Sequence, residues 1–281
     1  MAKINTNSNV YTICYAAVMV VLVAFLLAFV SSALKPAQDA NVAIDKKKQI
    51  LASLNVRGIA KSDVEAKYNE LIQETYVLTP DGQEIEGADA FDVETKEIGE
   101  KFPIYLAKTA EGEDAYVLPL KGRGLWGGLW GYVAVTLDFE KVLGAYFDHE
   151  SETAGLGALI KEEKFQSQFI GRPVMADGKV ALTVVKKGSS EAETQIDGVT
   201  GATLTSKGVG EMVLTGIQQY VDAVCKGIES VQKRVDAYCE ELEDSLAQPQ
   251  CETAKCCDKP ECACAGQEAG ACQNGNCSEE Q

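Results

Sequence analysis

The sequence predicts an α+β protein: one N-terminal transmembrane helix, then a domain with a mostly antiparallel sheet and flanking helices. Three features lead to this reading. Residues 13–34 form an uncharged run rich in Val, Leu, Ala and Phe. The middle of the chain carries short β-branched and aromatic segments separated by turn residues. From Leu204 onward, apolar residues recur at three- and four-residue spacing.

The apolar run comes first. Its 22 residues, at about 1.5 Å each, cross a hydrocarbon core about 30 Å thick. Ser31, Ser32 and Ala33 would suit signal-peptide cleavage. The run is longer than the roughly 7–15 apolar residues of a signal peptide, so an uncleaved anchor is expected. A short segment, residues 1–12, precedes it. Lys3 lies before the span, and Lys35, Lys46, Lys47 and Lys48 lie after it. Positive charge alone would therefore put the domain on the cytoplasmic side.

After Pro36, Val42, Ile44, Ile50, Leu51 and Leu54 supply a helical apolar face. Ser62 and Glu65 read as a capping box opening a helix that carries Val64, Tyr68, Leu71 and Ile72. Strands are expected at 76–78, 104–108, 115–120, 132–137, 144–148 and 179–185. The C-terminal helix carries Val209, Val213, Ile217, Tyr220 and Val224 on one face, and Gly227 is expected to interrupt it. This main domain spans residues 35–247.

Residues 248–281 differ in character. They hold seven of the ten cysteines and almost no large apolar side chains. Residues 240–281 contain ten acids and two bases, or −8 of the net −16. Such a segment buries too little apolar surface to fold alone. It has no histidine and no paired C-x₂-C knuckles, so no metal site is assigned. The acidic balance also excludes a nucleic-acid partner, which requires a basic face.

The chemistry concentrates in Asp197-Gly198-Val199-Thr200-Gly201-Ala202-Thr203-Leu204-Thr205-Ser206. This is a glycine-containing loop running into a helix. A helix N-terminus offers unpaired N–H groups that suit a phosphate, although Ser and Thr are also ordinary helix caps. The run resembles the flavinylation motif of the FMN-binding domain family, D-G-x-[ST]-G-A-[ST]-x-[ST]. That resemblance implies FMN joined by a phosphoester to the Thr205 hydroxyl. It also implies a flavin transferase that uses FAD and Mg²⁺ and releases AMP. One FMN per chain is expected.

Glu152-Thr153-Ala154-Gly155-Leu156-Gly157, after His149, resembles the family's H-x-E-T-P-G-L-G. Two residues separate His149 from Glu152 where the family has one, and Ala154 replaces proline. The resemblance makes Glu152, Thr153, Leu156 and Gly157 flavin contacts. The stretch 122–132, with Trp126 and Trp130, resembles the G-x-G-L-W segment of the C subunits of sodium-translocating NADH:quinone reductases. Leu34-Lys35-Pro36 resembles that family as well. Tryptophans are most often packing anchors, but Trp126 is also a candidate flavin contact.

The resemblance implies an electron-transfer subunit of a six-subunit translocase that couples NADH oxidation and quinone reduction to sodium export. It implies a single-pass protein of the inner membrane with an extracytoplasmic, periplasmic domain, against the charge count. It implies no catalytic base or nucleophile for turnover. Thr205 would act as a nucleophile once, activated by the transferase. The alternatives are the G subunit of the Rnf electron-transport complex, a stand-alone flavinylated carrier, and a cysteine-rich membrane scaffold without flavin. Removal of residues 248–281 is expected to leave covalent flavin unchanged; a dark band on denaturing gels would place the tail in the site.

Overall fold

The computed structural model describes residues 8–247, with side chains as far as Ile228. The expected cysteine-rich tail lies outside the described residues. The chain runs from a long helix α1 (Asn9–Ser53) through a short helix α2 (Val64–Leu71) into a five-stranded sheet. The strands are β1 (Ile72–Leu78), β2 (Phe102–Lys108), β3 (Asp114–Arg123), β4 (Gly128–Thr136) and β5 (Val142–His149). They pair antiparallel in sequence order. A short helix α3 (Glu163–Gln166) and a small hairpin, β6 (Met175–Ala176) with β7 (Lys179–Val180), follow. A parallel pair, β8 (Thr183–Val185) and β9 (Gln195–Asp197), leads into helix α4 (Thr203–Ala247). The α+β class and the antiparallel sheet are as the sequence predicts.

Helix α1 begins at Ser8, whose hydroxyl accepts the Tyr11 N–H at 3.1 Å. The expected span, residues 13–34, lies within it, and Pro36 is accommodated without ending it. The helix is long and apolar enough to cross a membrane. Its large apolar residues from Val10 to Leu34 are exposed, whereas Ile50, Leu51, Ala52 and Ser53 are buried in the domain. Asn55, at φ 63°, turns the chain out of the helix. Its side-chain amide donates to the Leu143 carbonyl at 2.8 Å.

The sheet is buried on both faces, which is why its strands read as nearly continuous apolar runs. Residues alternate between two cores. Phe102, Ile104, Leu118, Leu120, Val133, Val135 and Phe147 face α4 and the segment before it. Tyr105, Ala107, Ala115, Val117, Tyr132, Ala134 and Tyr146 face the end of α1 and α2. Aromatic contacts lock the first core. Phe102 meets Tyr220 of α4 edge-on at 5.2 Å, and the Tyr220 hydroxyl donates to the Pro119 carbonyl at 2.8 Å.

Three local expectations are corrected. Ser62 does not cap α2: Asp63 is the boundary residue, and the Ser62 hydroxyl donates to its carboxylate. Glu65 cannot reach back because it pairs with Lys47 of α1 at 2.8 Å. Gly227 does not interrupt α4. A Cβ there would stand 2.6 Å from the Gly82 carbonyl, so the missing side chain permits close approach of two segments. The segment 179–185 is not one strand; it divides into β7 and β8, with Ala181 and Leu182 both donating to the Val174 carbonyl between them.

The join between α1 and the sheet depends on Gly144. A Cβ at that position would lie 2.2 Å from the Ser53 carbonyl and 2.9 Å from the Asn55 side chain. Gly144→Ala is expected to lower stability by about 1–3 kcal/mol through overpacking, measured as a lower denaturant midpoint with unchanged slope.

Candidate functional site

Two loops meet at the start of α4. One leaves β5 at His149 and carries Glu152 to Gly157; the other leaves β9 at Asp197 and enters the helix at Thr203. The contact between them is a hydrogen bond: the Thr205 hydroxyl donates to Glu152 Oε2 at 2.7 Å. Both side chains are buried, Thr205 at 1% and Glu152 at 8% exposure. The predicted acceptor is thus the sequestered threonine of three. Thr200 and Thr203 are exposed.

Glu152 is held from several sides. Its Oε1 accepts the Trp126 backbone N–H at 2.9 Å. Its own N–H donates to His149 Nδ1 at 3.2 Å. His149 therefore shapes the turn, a role the altered motif spacing left open. Glycines make room for the pair. A Cβ at Gly157 would stand 2.4 Å from Glu152 Oε2 and 2.8 Å from Thr205 Oγ1. A Cβ at Gly124 would stand 2.3 Å from Glu152 Oε1.

The remaining predicted residues take distinct places. Gly198, Thr200, Gly201 and Thr203 line a groove of about 360 Å³. Asp197, Gly198 and Thr200 also border a second groove, of about 460 Å³, with Leu159 and Phe165. Ala202 is buried beneath the loop. Leu204 and Leu156 are exposed, and Trp126 is 66% exposed. Trp126 is therefore not a packing anchor. Trp130, by contrast, packs beside the second core, and its indole N–H donates to Gln49. Thr153 is exposed, and its carbonyl accepts the N–H groups of Leu156 and Ala158.

Asp197 does not reach Thr205. Its carboxylate accepts the Gly188 N–H at 2.8 Å, and that bond holds its pKa below the ordinary carboxylate value. It braces the turn that carries Lys186 and Lys187. Those two lysines line the first groove with Lys207, and Lys164 joins Lys187 at the second. In a chain of net charge −16, this places cations where the first turn of α4 also presents unpaired N–H groups. The combination suits a phosphate, and the exposed Trp126, Leu156 and Leu204 suit a flat apolar ring.

The sequence reading missed the lysines, Gly124 and Ser206. Ser206 is buried, and its hydroxyl accepts the Val199 N–H at 2.9 Å, closing the loop onto the helix. Its position beside Thr205 was the only signal for it. Among the described residues, no cluster of His, Cys, Asp and Glu could hold a metal.

The FMN-binding domain family matches residues 124–218. The C subunit of the Na(+)-translocating NADH-quinone reductase of Haemophilus ducreyi is 33% identical over 231 residues, covering 74% of this chain and 90% of that protein. The corresponding Pseudomonas aeruginosa protein is 30% identical over 238 residues, covering 74% of this chain and 91% of that protein. A crystal structure of the same subunit from Parabacteroides distasonis superposes with a TM-score of 0.63 at 37% identity, covering 68% of this chain and 96% of that one. NqrC of Shewanella oneidensis shares the fold, with a TM-score of 0.55 at 21% identity over 69% of this chain and 98% of that one.

Gly201 sits at φ +78°, and a Cβ there would stand 2.9 Å from Leu156 Cδ2. A left-handed backbone costs an L-residue about 1–2 kcal/mol. Gly201→Val is expected to lower stability by at least that amount, read by thermal melting.

Proposed function

The chain belongs to the family of C subunits of the Na(+)-translocating NADH-quinone reductase, and on that premise we propose that it carries FMN through a phosphoester to Thr205. The observation that carries this reading is the placement of the Thr205 hydroxyl. It lies in the first turn of α4, buried and bonded to Glu152, and its chain neighbours Thr203, Ser206 and Lys207 line a groove with Lys186 and Lys187. The residues present fit the cofactor. Lys186, Lys187 and Lys207 offset phosphate charge, and the N-terminus of α4 adds its dipole. Trp126, Leu156 and Leu204 offer apolar surface to the ring.

Bound FMN supplies one- and two-electron redox chemistry; the protein anchors and orients it. Gly198 and Gly201 let the backbone come close to the phosphate, while Ser206 and Asp197 hold the loop that carries them. No side chain of this chain is assigned a proton-transfer role during turnover. The chain would pass electrons within a membrane complex of six subunits that couples NADH oxidation and quinone reduction to sodium export. Helix α1 would anchor it by a single pass, with the domain on the extracytoplasmic side. A flavin transferase would load it from FAD. A covalent bond would keep the cofactor where free FMN is not retained.

Denaturing gels of the full chain, co-expressed with a flavin transferase, test the reading. Wild type is expected to fluoresce and Thr205→Ala to be dark, because the acceptor oxygen is gone. Two dark bands, or a bright mutant, would overturn the assignment of Thr205.

A further inference from the structure

Glu152 is a buried carboxylate without a cation. Among the described residues, no lysine, arginine or histidine forms an ion pair with it. Two hydrogen bonds satisfy its oxygens instead, one from the Trp126 N–H and one from the Thr205 hydroxyl. Buried anions depend on such donors. The fold thus holds a carboxyl group against one particular hydroxyl, across 53 residues of sequence.

A phosphoester at Thr205 would remove that donor. The oxygen now 2.7 Å from Glu152 Oε2 would lose its proton and join an anionic phosphodiester. The anionic phosphodiester would then face Glu152 at close range, and the proton given up by the hydroxyl is the donor that can bridge the two groups. The glycine contacts leave the carboxylate little room to turn away. Its Oε1 is fixed by the Trp126 N–H, and the Gly157 backbone lies beside Oε2.

We propose that Glu152 is the base for flavin attachment and keeps the proton afterwards. The inference rests on Thr205 being the acceptor. Thr205 Oγ1 attacks the flavin-side phosphorus of FAD, and its hydroxyl proton moves to Glu152 Oε2. The bond from that phosphorus to the bridging oxygen breaks, and its electron pair leaves with AMP. The charges balance. Dianionic FAD, a carboxylate and a neutral hydroxyl become a monoanionic phosphodiester, dianionic AMP and a neutral carboxylic acid. Protonated Glu152 then donates to the phosphodiester, reversing the direction of the original hydrogen bond. The transferase contributes FAD and Mg²⁺; the Glu152 contact replaces the activation by the transferase that the family resemblance implies with a base from the acceptor chain itself.

The test uses the purified full chain in detergent with flavin transferase, FAD and Mg²⁺. Glu152→Gln keeps the side-chain shape and an acceptor for the Trp126 N–H, but it cannot take the proton. Its attachment rate is expected to fall by about 10²-fold or more, with an unchanged melting temperature, and Glu152→Asp to fall between it and wild type. The infrared difference spectrum of flavinylated minus unmodified wild type should show a new protonated-carboxyl band that shifts in Glu152→Asp. Glu152→Gln labelling at the wild-type rate would overturn the base role. Faster labelling would do the same, making Glu152 a latch over Thr205. Labelled wild type without the new band would overturn retention of the proton, whether or not the Gln variant folds. Wild type that takes no covalent flavin at all would instead remove the Thr205 assignment on which the inference rests.

Discussion

Burial of both faces of the five-stranded sheet is the constraint on which the rest of the structure depends. Strands β3, β4 and β5 place large apolar residues alternately above and below the sheet. Each face then requires its own cover, since exposed apolar area on that scale is unfavourable in water. The first half of α4 covers one face through Val209, Val213, Ile217 and Tyr220. The end of α1 and helix α2 cover the other through Ile50, Leu51, Val64 and Tyr68. The apolar face of α4 runs up to its first turns, so docking it fixes where the helix begins. That start falls against the loop leaving β5, and the contact between Thr205 and Glu152 follows from the packing.

Close approach at that junction depends on absent side chains. Gly124, Gly157 and Gly208 stand where a Cβ would strike Glu152, Thr205 or the Arg123 backbone at 2.3–2.8 Å. The sequence therefore combines small residues at the contact with large exposed ones around it, Trp126, Leu156 and Leu204. A surface of that kind is unusual for a protein that only needs to be soluble, and it is what a site for a flat cofactor requires.

Much of the architecture was legible because it rests on local chemistry. The five main strands show β-branched and aromatic runs between turns, and α4 shows its face at helical spacing. Family resemblance reads the loop from Asp197 to Ser206 as a flavin motif, whereas its residues alone allow an ordinary helix cap. What the sequence hid is long-range. Glu65 stands where a capping glutamate belongs, but Lys47 from another helix claims it. Gly227 looks like a helix breaker until Gly82 is seen packed against it. Lys186 and Lys187 look like solvated charges until the Asp197 brace turns them toward a groove. The partnership of Glu152 with Thr205 has no local signature, since the two lie far apart in the chain.

Helix α1 passes from its exposed apolar length into the buried core without a flexible joint, and Pro36 does not break it. Between Leu34 and Ile50 the rise is about 24 Å at 1.5 Å per residue. A random-coil tether of similar contour would let the domain sweep a wide volume and would dilute any neighbour it must meet. With the proposed anchor in a bilayer, a helical mast would instead confine the domain to a narrow shell beside it. The local concentration of the two members of an electron-exchanging pair would then be set by helix geometry rather than by diffusion on a leash. Insertions or deletions in residues 35–49 would change both the height of the domain and its azimuth, by about 100° per residue, since an α-helix takes 3.6 residues per turn.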